Sequence, residues 1–245
     1  AQCKRGNENL CANDNCLGTV KDGGFSDQVL VPHPRYILNA TGIADGLAGV
    51  FMCSGLTAYS ALRKIGELPK DDYLLILGLG GVGYMGLQIA RVMFGDKVLA
   101  ADIESAKRDA AVRTGSKEIY DPSDKNTVKS IIGDTGGGVY AVIDFVGSEA
   151  SVSLGRKCLR RGGRLILVGL FGGGLQIDLP LMALQGHSIV GSITGSLSEA
   201  KEVLAIAKQG KIKPIPIEER PLDRVNETLD DLRAGQIIGR VVLKP

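Results

Sequence analysis

Residues 77–83 read LGLGGVG, and they give the strongest indication of fold in this chain. The spacing of the glycines matches the pattern G-x-G-x-x-G. An apolar run at residues 73–77 (YLLIL) precedes the pattern, and residues 83–94, with apolar side chains at helical spacing, follow it. A buried strand, a glycine turn and a helix in this order predict the phosphate-binding turn of a dinucleotide fold.

Each glycine of the turn has a steric reason to be there. Gly78 permits the tight turn, Gly80 lets the backbone approach a pyrophosphate, and Gly83 lets the helix pack against the strand. The free N–H groups and the positive dipole end of the helix then face the phosphates. We therefore predict that the cofactor-binding turn comprises Gly78, Gly80, Gly81, Val82 and Gly83.

An acidic residue stands where such a fold binds the adenosine ribose. Asp102 lies 19 residues after Gly83 and closes a second apolar run at residues 97–101. A carboxylate there accepts hydrogen bonds from the ribose hydroxyls and repels a 2′-phosphate, which favours NAD over NADP. Methyltransferases also carry an acidic residue after their second strand, so the glycine loop alone does not exclude a methyltransferase.

Apolar runs and amphipathic stretches alternate through the middle of the chain. Strands are predicted at residues 73–77, 97–101, 118–120, 141–146, 164–169 and 188–193. Helices are predicted at residues 83–94, 104–114, 127–132 and 149–159. This alternation predicts an α/β fold with a doubly wound, six-stranded parallel Rossmann sheet.

The two ends of the chain differ from its middle. Residues 1–50 are rich in Gly, Asn and Asp, and residues 25–31 (FSDQVLV) alternate as an antiparallel strand does. The other end has predicted helices at 198–209 and 224–234, separated by a proline-rich strand-like piece around Pro214 and Pro216, and a short strand at 240–243. We expect the two ends to pack together as parts of a second domain that the central fold interrupts.

Composition and charge argue against several classes of function. Apolar residues make up 44% and charged residues 23% of the chain, with 29 basic against 27 acidic residues. Without a basic stripe we expect no nucleic-acid partner, and without an apolar run of about 20 residues no membrane span. Five widely spread cysteines without a signal peptide indicate a reducing, cytoplasmic setting, in which cysteines are metal ligands or core residues.

Several stretches together resemble the zinc-containing alcohol dehydrogenases of the medium-chain dehydrogenase/reductase superfamily. Besides the glycine turn and Asp102, they are residues 3–11 (CKRGNENLC), 23–32 (GGFSDQVLVP), 53–59 (CSGLTAY), 168–170 (VGL) and 238–243 (IGRVVL). The resemblance implies an incomplete, mainly β (GroES-like) catalytic domain beside the Rossmann domain. The chain would then be divided into a remnant of the catalytic domain with part of the structural-zinc lobe at 1–52, the NAD-binding domain at 53–195, and a C-terminal return to the catalytic domain at 196–245.

The resemblance also implies metal sites. Cys53 would be a catalytic zinc ligand, and Cys3 and Cys11 two of the four ligands of a structural zinc. Catalytic zinc sites use three protein ligands and keep one position open, where the metal acts as a Lewis acid on the alcohol. Taken alone, a cysteine in an apolar stretch is more often a core residue, and two cysteines cannot close a tetrahedral site.

Further residues would bind the cofactor if the resemblance holds. Thr57 would pack on the nicotinamide ring and count among the catalytic residues, and Lys107 would reach the ribose. Val146, Val168 and Leu170 would line the ring's pocket, and Arg240 would reach the pyrophosphate. Without the resemblance, strand valines and leucines are usually core residues, and such lysines and arginines are usually solvated.

The chain departs from the family pattern in one respect. The family's remaining zinc ligands and its proton-relay residue would precede residue 1. The two histidines, His33 and His187, lie in no ligand-like cluster, and we expect neither to bind zinc. Cys16 and Cys158 match nothing in the family pattern, so we interpret both as structural.

The expected activity is reversible, zinc-assisted, NAD-dependent oxidation of primary or secondary alcohols to aldehydes or ketones. Alternatives are a catalytically incomplete NAD-binding fragment and a zinc-free quinone or enoyl reductase of the same superfamily; a methyltransferase is disfavoured by the six-strand pattern. The expected partners are a small-molecule alcohol, aldehyde or ketone, and other copies of the chain. The family pairs its subunits through the last strand of the sheet, which corresponds here to residues 188–193.

Overall fold

A computed structural model describes residues 1–13, 15–116 and 118–245. Its main feature is a six-stranded, wholly parallel sheet in the order β3-β2-β1-β4-β5-β6. The strands are β1 (Leu74–Leu77), β2 (Val98–Ala101), β3 (Ile119–Tyr120), β4 (Val139–Asp144), β5 (Leu159–Leu167) and β6 (Ser188–Gly191). All six predicted strands exist, although β5 begins earlier than the predicted 164–169. The order reverses beside β1, which is where this fold binds its ligand.

Helices cover the sheet and connect its strands. They are α1 (Asp45–Val50), α2 (Leu56–Arg63), α3 (Gly81–Phe94), α4 (Ser105–Arg113), α5 (Thr127–Asp134), α6 (Glu149–Cys158), α7 (Leu179–Gln185) and α8 (Leu197–Lys208). A π-helical turn, Phe51–Gly55, joins α1 to α2. The four predicted helices of the middle region are α3 to α6, each within three residues of its predicted ends. The predicted α/β Rossmann fold is confirmed.

The apolar run of β1 is continuous because both faces of the sheet are covered. Leu74 and Ile76 pack into one hydrophobic core, with α2, α3 and α8. Leu75 and Leu77 pack into a second core on the opposite face, which also contains Cys158. All four strand residues are at most 2% exposed. Side chains of a strand alternate between faces, so a strand between two helical layers needs an apolar residue at every position.

The C-terminal region forms a second, small sheet. Strands β7 (Ile217–Pro221) and β8 (Arg240–Lys244) pair in parallel, with helix α9 (Val225–Arg233) between them along the chain. Both predicted helices of this region exist, as α8 and α9. The strand-like piece predicted around Pro214 and Pro216 corresponds to β7, which begins directly after Pro216. Proline lacks the N–H that a paired strand donates.

The strand predicted at residues 25–31 is wrong. The segment has no strand structure, and no strand among the described residues pairs with it. Phe25 is 69% and Leu30 86% exposed. Alternation of apolar and polar residues produces a strand only where a neighbouring strand accepts its hydrogen bonds and a core buries one face. Within the described part of the chain, no helix is both long and apolar enough to cross a membrane.

Candidate cofactor and metal sites

The glycine turn connects β1 to α3 with no room for side chains at three of its positions, Gly78, Gly81 and Gly83. Gly78 has a φ of +85°, in the left-handed region that favours glycine. A Cβ on Gly83 would lie 1.8 Å from the carbonyl oxygen of Gly78. A Cβ on Gly78 would lie 2.6 Å from Val146 Cγ2, so the turn also packs directly against the end of β4. These contacts hold the first turn of α3 over the edge of the sheet.

The N-terminus of α3 presents a surface suited to an anion. Gly80 is exposed, and a Cβ there would meet nothing within 4 Å. Arg240, the first residue of β8, lies across Gly81, where a Cβ would come within 2.3 Å of the arginine Nε. That Nε is buried and has no hydrogen-bond partner among the described residues. A guanidinium beside the positive end of a helix dipole, with an unsatisfied donor, fits a phosphate group that would contact both.

Asp102 follows β2 and fastens the glycine turn to it. One carboxylate oxygen accepts the N–H of Leu79 at 2.6 Å, and the other accepts the N–H of Glu104 at 2.8 Å. Asp102 is 7% exposed. Since a carboxylate has about four lone-pair sites, two backbone donors leave capacity for a ribose hydroxyl. Sequence reasoning assigned only the ribose role to this residue, and the structure adds a role within the protein.

Two cations close to Asp102 are already paired with carboxylates. Lys107 Nζ lies 2.5 Å from Glu104 Oε1, and Arg108 lies 3.0 Å from Asp121. Arg108 also donates to the backbone carbonyl oxygens of Asp102 and Ile103. Glu104 and Arg108 are members of this site that sequence reasoning missed. The signal that could have found them is the run of charged residues directly after the strand that Asp102 closes.

The ends of β4 and β5 approach each other closely at the same edge of the sheet. A Cβ on Gly147 would lie 2.0 Å from the carbonyl oxygen of Gly169, and Val146 and Val168 beside them are half-buried. Leu170, by contrast, is 88% exposed. The three predicted ring-pocket residues therefore lie on adjacent chain segments, and only the two valines are partly covered by protein.

Asp144, the last residue of β4, was also missed from the sequence. It is fully buried, and its side chain accepts hydrogen bonds from the loop that follows the strand. The signal that could have found it is an acid within an apolar strand, in the stretch AVIDFV. Ser192, directly after β6, is a second missed residue, with a buried hydroxyl that has no partner among the described residues.

The predicted catalytic metal ligand lies in an unusual helical turn. Cys53 belongs to the π-helical turn and is exposed, and Thr57 follows four residues later in α2, half-buried. Residues four apart in a helix share a face, so both side chains belong to one side of this element. Such π-helical turns occur frequently at functional sites. Among the described residues, no three His, Cys, Asp or Glu side chains come together as a possible metal site.

Cys3 and Cys11 do come together near the beginning of the chain. A hydrogen bond between the two thiols raises the pKa of Cys3 above its ordinary value. Between them, Gly6 adopts a φ of +80° as the chain turns, and Asn9 Nδ2 donates to the carbonyl oxygen of Ile193 at 2.8 Å. The pair thus lies on a turn that contacts the segment after β6. Two thiols are half of the ligand set that a tetrahedral structural zinc requires.

One groove of about 1850 Å³ joins several of these features. Its lining includes Cys53, Gly80, Gly81, Lys107 and Arg240, together with parts of both chain ends. The lining residues do not include Thr57, Asp102 or the three residues of the predicted ring pocket. The structure therefore places the predicted zinc ligand and the phosphate end of the cofactor site along the same groove, between the N-terminal and C-terminal regions.

The remaining cysteines and histidines take local contacts. His33 Nδ1 accepts the N–H of Arg35, and His187 Nε2 lies 3.1 Å from the carbonyl oxygen of Arg160. Cys158 is fully buried, and burial raises the pKa of its thiol to about 12. Cys16 is exposed, and its Sγ donates to the carbonyl oxygen of Leu17.

Comparison with known proteins assigns the chain to a family. Residues 81–209 match the model of the zinc-binding dehydrogenases. A relative named NAD-dependent alcohol dehydrogenase from Sulfolobus acidocaldarius is 36% identical over 243 residues, which are 99% of this chain and 70% of the relative. The chain belongs to the zinc-binding dehydrogenase family. The resemblance inferred from its sequence is therefore confirmed.

Other relatives of this zinc-binding dehydrogenase agree. An alcohol dehydrogenase of Geobacillus stearothermophilus is 33% identical over 242 residues, covering 99% of this chain and 71% of the relative. The crystal structure of the Aeropyrum pernix alcohol dehydrogenase superimposes with a TM-score of 0.85 at 32% identity, covering 100% of this chain and 72% of that one. An acetophenone reductase from Geotrichum candidum, solved in complex with NAD, gives 0.81 at 27% identity, with 100% and 69% covered.

Proposed function

We propose that this dehydrogenase oxidises primary or secondary alcohols to aldehydes or ketones with NAD, reversibly and with the assistance of zinc. The observation that carries the proposal is the buried, unpartnered Nε of Arg240 beside the glycine turn at the N-terminus of α3. It supports a binding place for the phosphates of a dinucleotide on a chain whose family transfers hydride. The names of its relatives supply the alcohol substrate and NAD.

The residues of the chain would bind and orient the cofactor in two halves. The backbone N–H groups of Gly80, Gly81, Val82 and Gly83 would hold the pyrophosphate with Arg240, while Asp102 and Lys107 would hold the adenosine ribose. Because the adenosine half then lies over β2, the nicotinamide half extends over β4 and β5. Bound there, the cofactor supplies the hydride acceptor, and the protein fixes its position.

The nicotinamide ring would rest between two groups of residues. Val146, Val168 and Leu170 would contact it from the ends of β4 and β5, and Thr57 from α2. Apolar side chains around the ring exclude water from the reacting carbon, and a fixed ring presents one face to the substrate. This arrangement of residues around the ring prevents transfer of hydride to solvent and fixes which face of the ring reacts.

The zinc ligands that the described residues offer fit the metal only in part. Cys53 is one of the three protein ligands that a catalytic zinc requires, and Cys3 with Cys11 are two of the four for a structural zinc. We therefore derive no step of the reaction through the metal from these residues. A chain that binds NAD without catalysis is the second candidate function, and the zinc measurement described below distinguishes it from the first.

We propose the same domain division as from the sequence, with the NAD-binding domain at 53–195 between catalytic-domain parts at 1–52 and 196–245. The contacts of α1 with β7 and β8 support an association of the two outer parts.

We also propose a cytoplasmic homo-oligomer. Edge strand β6 pairs on only one side among the described residues, and Leu184 and Ile193 nearby are 74% and 52% exposed.

One experiment tests the function. The full chain is titrated with NADH and with NADPH, nicotinamide fluorescence is followed, and zinc is measured on the same sample. NADH binding with tightly held zinc supports the dehydrogenase and leads to screening of alcohols. NADH binding without zinc supports the second candidate. A preference for NADPH would overturn the role of Asp102, and binding of neither would overturn the proposed cofactor.

A further inference from the structure

We propose that Asp144 is a positioning residue for the nicotinamide half of the cofactor. It holds the loop after β4 and the end of β5 in one geometry, and its buried charge favours the oxidised, positively charged ring. The inference rests on the proposed use of NAD(H). It adds a residue to that site and gives it an effect on the balance between the two redox forms.

The side chain of Asp144 organises the loop that follows β4. One carboxylate oxygen accepts the N–H groups of Val146 at 2.8 Å and Gly147 at 3.0 Å. The other accepts the hydroxyl of Ser151 at 2.7 Å. Ser151 in turn belongs to the capping box of α6, together with Ser148. The carboxylate therefore links the end of a strand, a glycine loop and the first turn of a helix.

The main chain of Asp144 fastens the end of β5 as well. Its carbonyl oxygen accepts the N–H groups of Val168 at 2.9 Å and Gly169 at 3.0 Å. Val146 and Val168 flank the proposed ring pocket. The backbone N–H groups of both therefore donate to Asp144, one to its side chain and the other to its carbonyl oxygen. Gly147 and Gly169 pack without room for a Cβ, so a change at Asp144 displaces both segments together.

The charge of Asp144 has no counterion among the described residues. The residue is fully buried, and its partners are two backbone N–H groups and a hydroxyl rather than a cation. Charges interact strongly over short distances where water is excluded. The ring of NAD⁺ carries a positive charge that the ring of NADH lacks. A buried carboxylate behind the ring pocket therefore binds the oxidised form more favourably than the reduced form.

Two substitutions at this position separate geometry from charge. In Asp144→Asn the amide oxygen keeps both backbone hydrogen bonds and the amide N–H₂ donates to Ser151, so the loop stays in place while the charge is lost. In Asp144→Ala the backbone donors lose their acceptor, and the loop is freed. Ser151→Ala is a milder variant that keeps the carboxylate and removes one hydrogen bond. It serves if Asp144→Ala does not fold.

The measurement is the dissociation constant of the full chain for NADH, NAD⁺ and ADP-ribose, which lacks the nicotinamide. For Asp144→Ala we expect NADH to bind about tenfold more weakly because the loop loses its hydrogen-bond acceptor, NAD⁺ to weaken about threefold further because the charge is lost as well, and ADP-ribose to be unchanged. For Asp144→Asn we expect NAD⁺ binding to weaken about threefold relative to NADH binding, because the variant loses the charge and keeps the hydrogen bonds. For Ser151→Ala we expect a smaller loss in NADH and NAD⁺ alike.

The outcomes decide between the inference and its alternatives. Equal loss of all three ligands would mean general damage to the fold and would overturn the inference. An unchanged ratio of NAD⁺ to NADH affinity in Asp144→Asn would overturn the part played by charge. Unchanged affinities in Asp144→Ala would overturn the positioning role. If the unsubstituted chain bound neither ADP-ribose nor NADH, the proposed function would fail, a result distinct from failure of this inference.

Discussion

The cofactor site and the metal-ligand residues of this chain are assembled in different ways. The candidate cofactor site draws mainly on one sheet, whose parallel strands bring the glycine turn, Asp102 and Asp144 to the same edge, and Arg240 of β8 adds one group from the second sheet. The predicted zinc ligands lie apart, with Cys53 on a π-helical turn and Cys3 and Cys11 together elsewhere. Backbone N–H groups of one turn can bind a phosphate, whereas a tetrahedral metal needs several side chains from separate segments. The Rossmann unit therefore holds most of its binding groups itself, whereas a zinc site depends wholly on side chains from separate segments.

The largest effect is expected from Gly83→Ala. The new methyl group would lie 1.8 Å from the carbonyl oxygen of Gly78, and backbone on both sides cannot move away. We expect the free energy of unfolding to fall by about 3 kcal/mol, and NADH binding to be lost. Urea denaturation and a fluorescence titration measure the two quantities.

The matched control is Gly80→Ala in the same turn. Its φ of −66° is ordinary, and its Cβ would meet nothing within 4 Å. We expect its stability to stay the same while NADH affinity falls, because the methyl group stands where the pyrophosphate approaches. If both variants lost stability equally, the turn would not be packed as described.

A smaller effect is expected from Arg240→Ala. Removing the guanidinium takes away the charge-assisted hydrogen bonds proposed for the pyrophosphate, so NADH and ADP-ribose should both bind about tenfold more weakly. Isothermal titration calorimetry measures both constants. Arg233→Ala is the control, since Arg233 is exposed and, within the described ranges, pairs only with Asp230. An equal loss of affinity in the control would mean that the effect comes from the net charge of the protein rather than from a contact between Arg240 and the pyrophosphate.

Glu104→Gln should change cofactor preference rather than affinity for NADH. Loss of the glutamate charge frees Lys107, now 2.5 Å from Glu104, to attract a 2′-phosphate. We expect the ratio of NADPH to NADH affinity to rise about threefold, a modest gain typical of one partly exposed ion pair. Glu67→Gln, an exposed change before β1, should leave the ratio alone. A ratio that does not move would mean that Lys107 does not face the ribose.

Alkaline pH should weaken the core of the cofactor domain through Cys158. Burial raises the pKa of this thiol to about 12 in the folded protein, against an ordinary value of 9.0. Because the pKa is raised in the folded state, the protonated thiol contributes its full stabilisation of the fold below pH 9. That contribution is lost as the pH rises towards 12. The free energy of unfolding of the unsubstituted chain should therefore fall over this window more steeply than that of Cys158→Ala. Parallel curves from urea denaturation at each pH would contradict this.

The smallest effect on cofactor binding is expected from Cys3→Ser. If the two regions are as independent as their geometry indicates, zinc content falls while NADH affinity stays within experimental error. Metal analysis and the NADH titration are run on the same sample, with Cys16→Ser as the control for substituting an exposed cysteine. A coupled loss of NADH binding would show that the turn carrying Cys3 supports the cofactor site, through Asn9 and Ile193.

The sequence predicted the sheet well because its strands are apolar on both faces. No alternation is needed to recognise a run such as LLIL at 74–77, and the glycine turn fixes where the helix begins. The prediction failed at residues 25–31. Apolar and polar residues alternate there as in a strand, but the segment has no neighbouring strand among the described residues. It also placed the start of β5 late, because Arg160 and Arg161 interrupt the apolar pattern at the sheet's edge.

Part of the candidate site was also visible in the sequence. The turn glycines and Asp102 stand out because their residue types and spacing follow from local backbone geometry. Asp144 and Glu104 were missed, since a single carboxylate gives no periodic signal. Arg240 was assigned only through the family resemblance, because more than 150 residues separate it from the turn it contacts.

The sequence by itself determined the order of strands and helices, the phosphate-binding turn and the family. These follow from local spacing, in which each residue's neighbours along the chain decide its conformation. Only the tertiary structure decided that Arg240 lies on Gly81 and that Asp144 fastens the end of β5 as well as its own loop. Such contacts depend on the packing of segments that are distant along the chain, within one sheet or between two, and no local pattern of residues encodes which groups then meet.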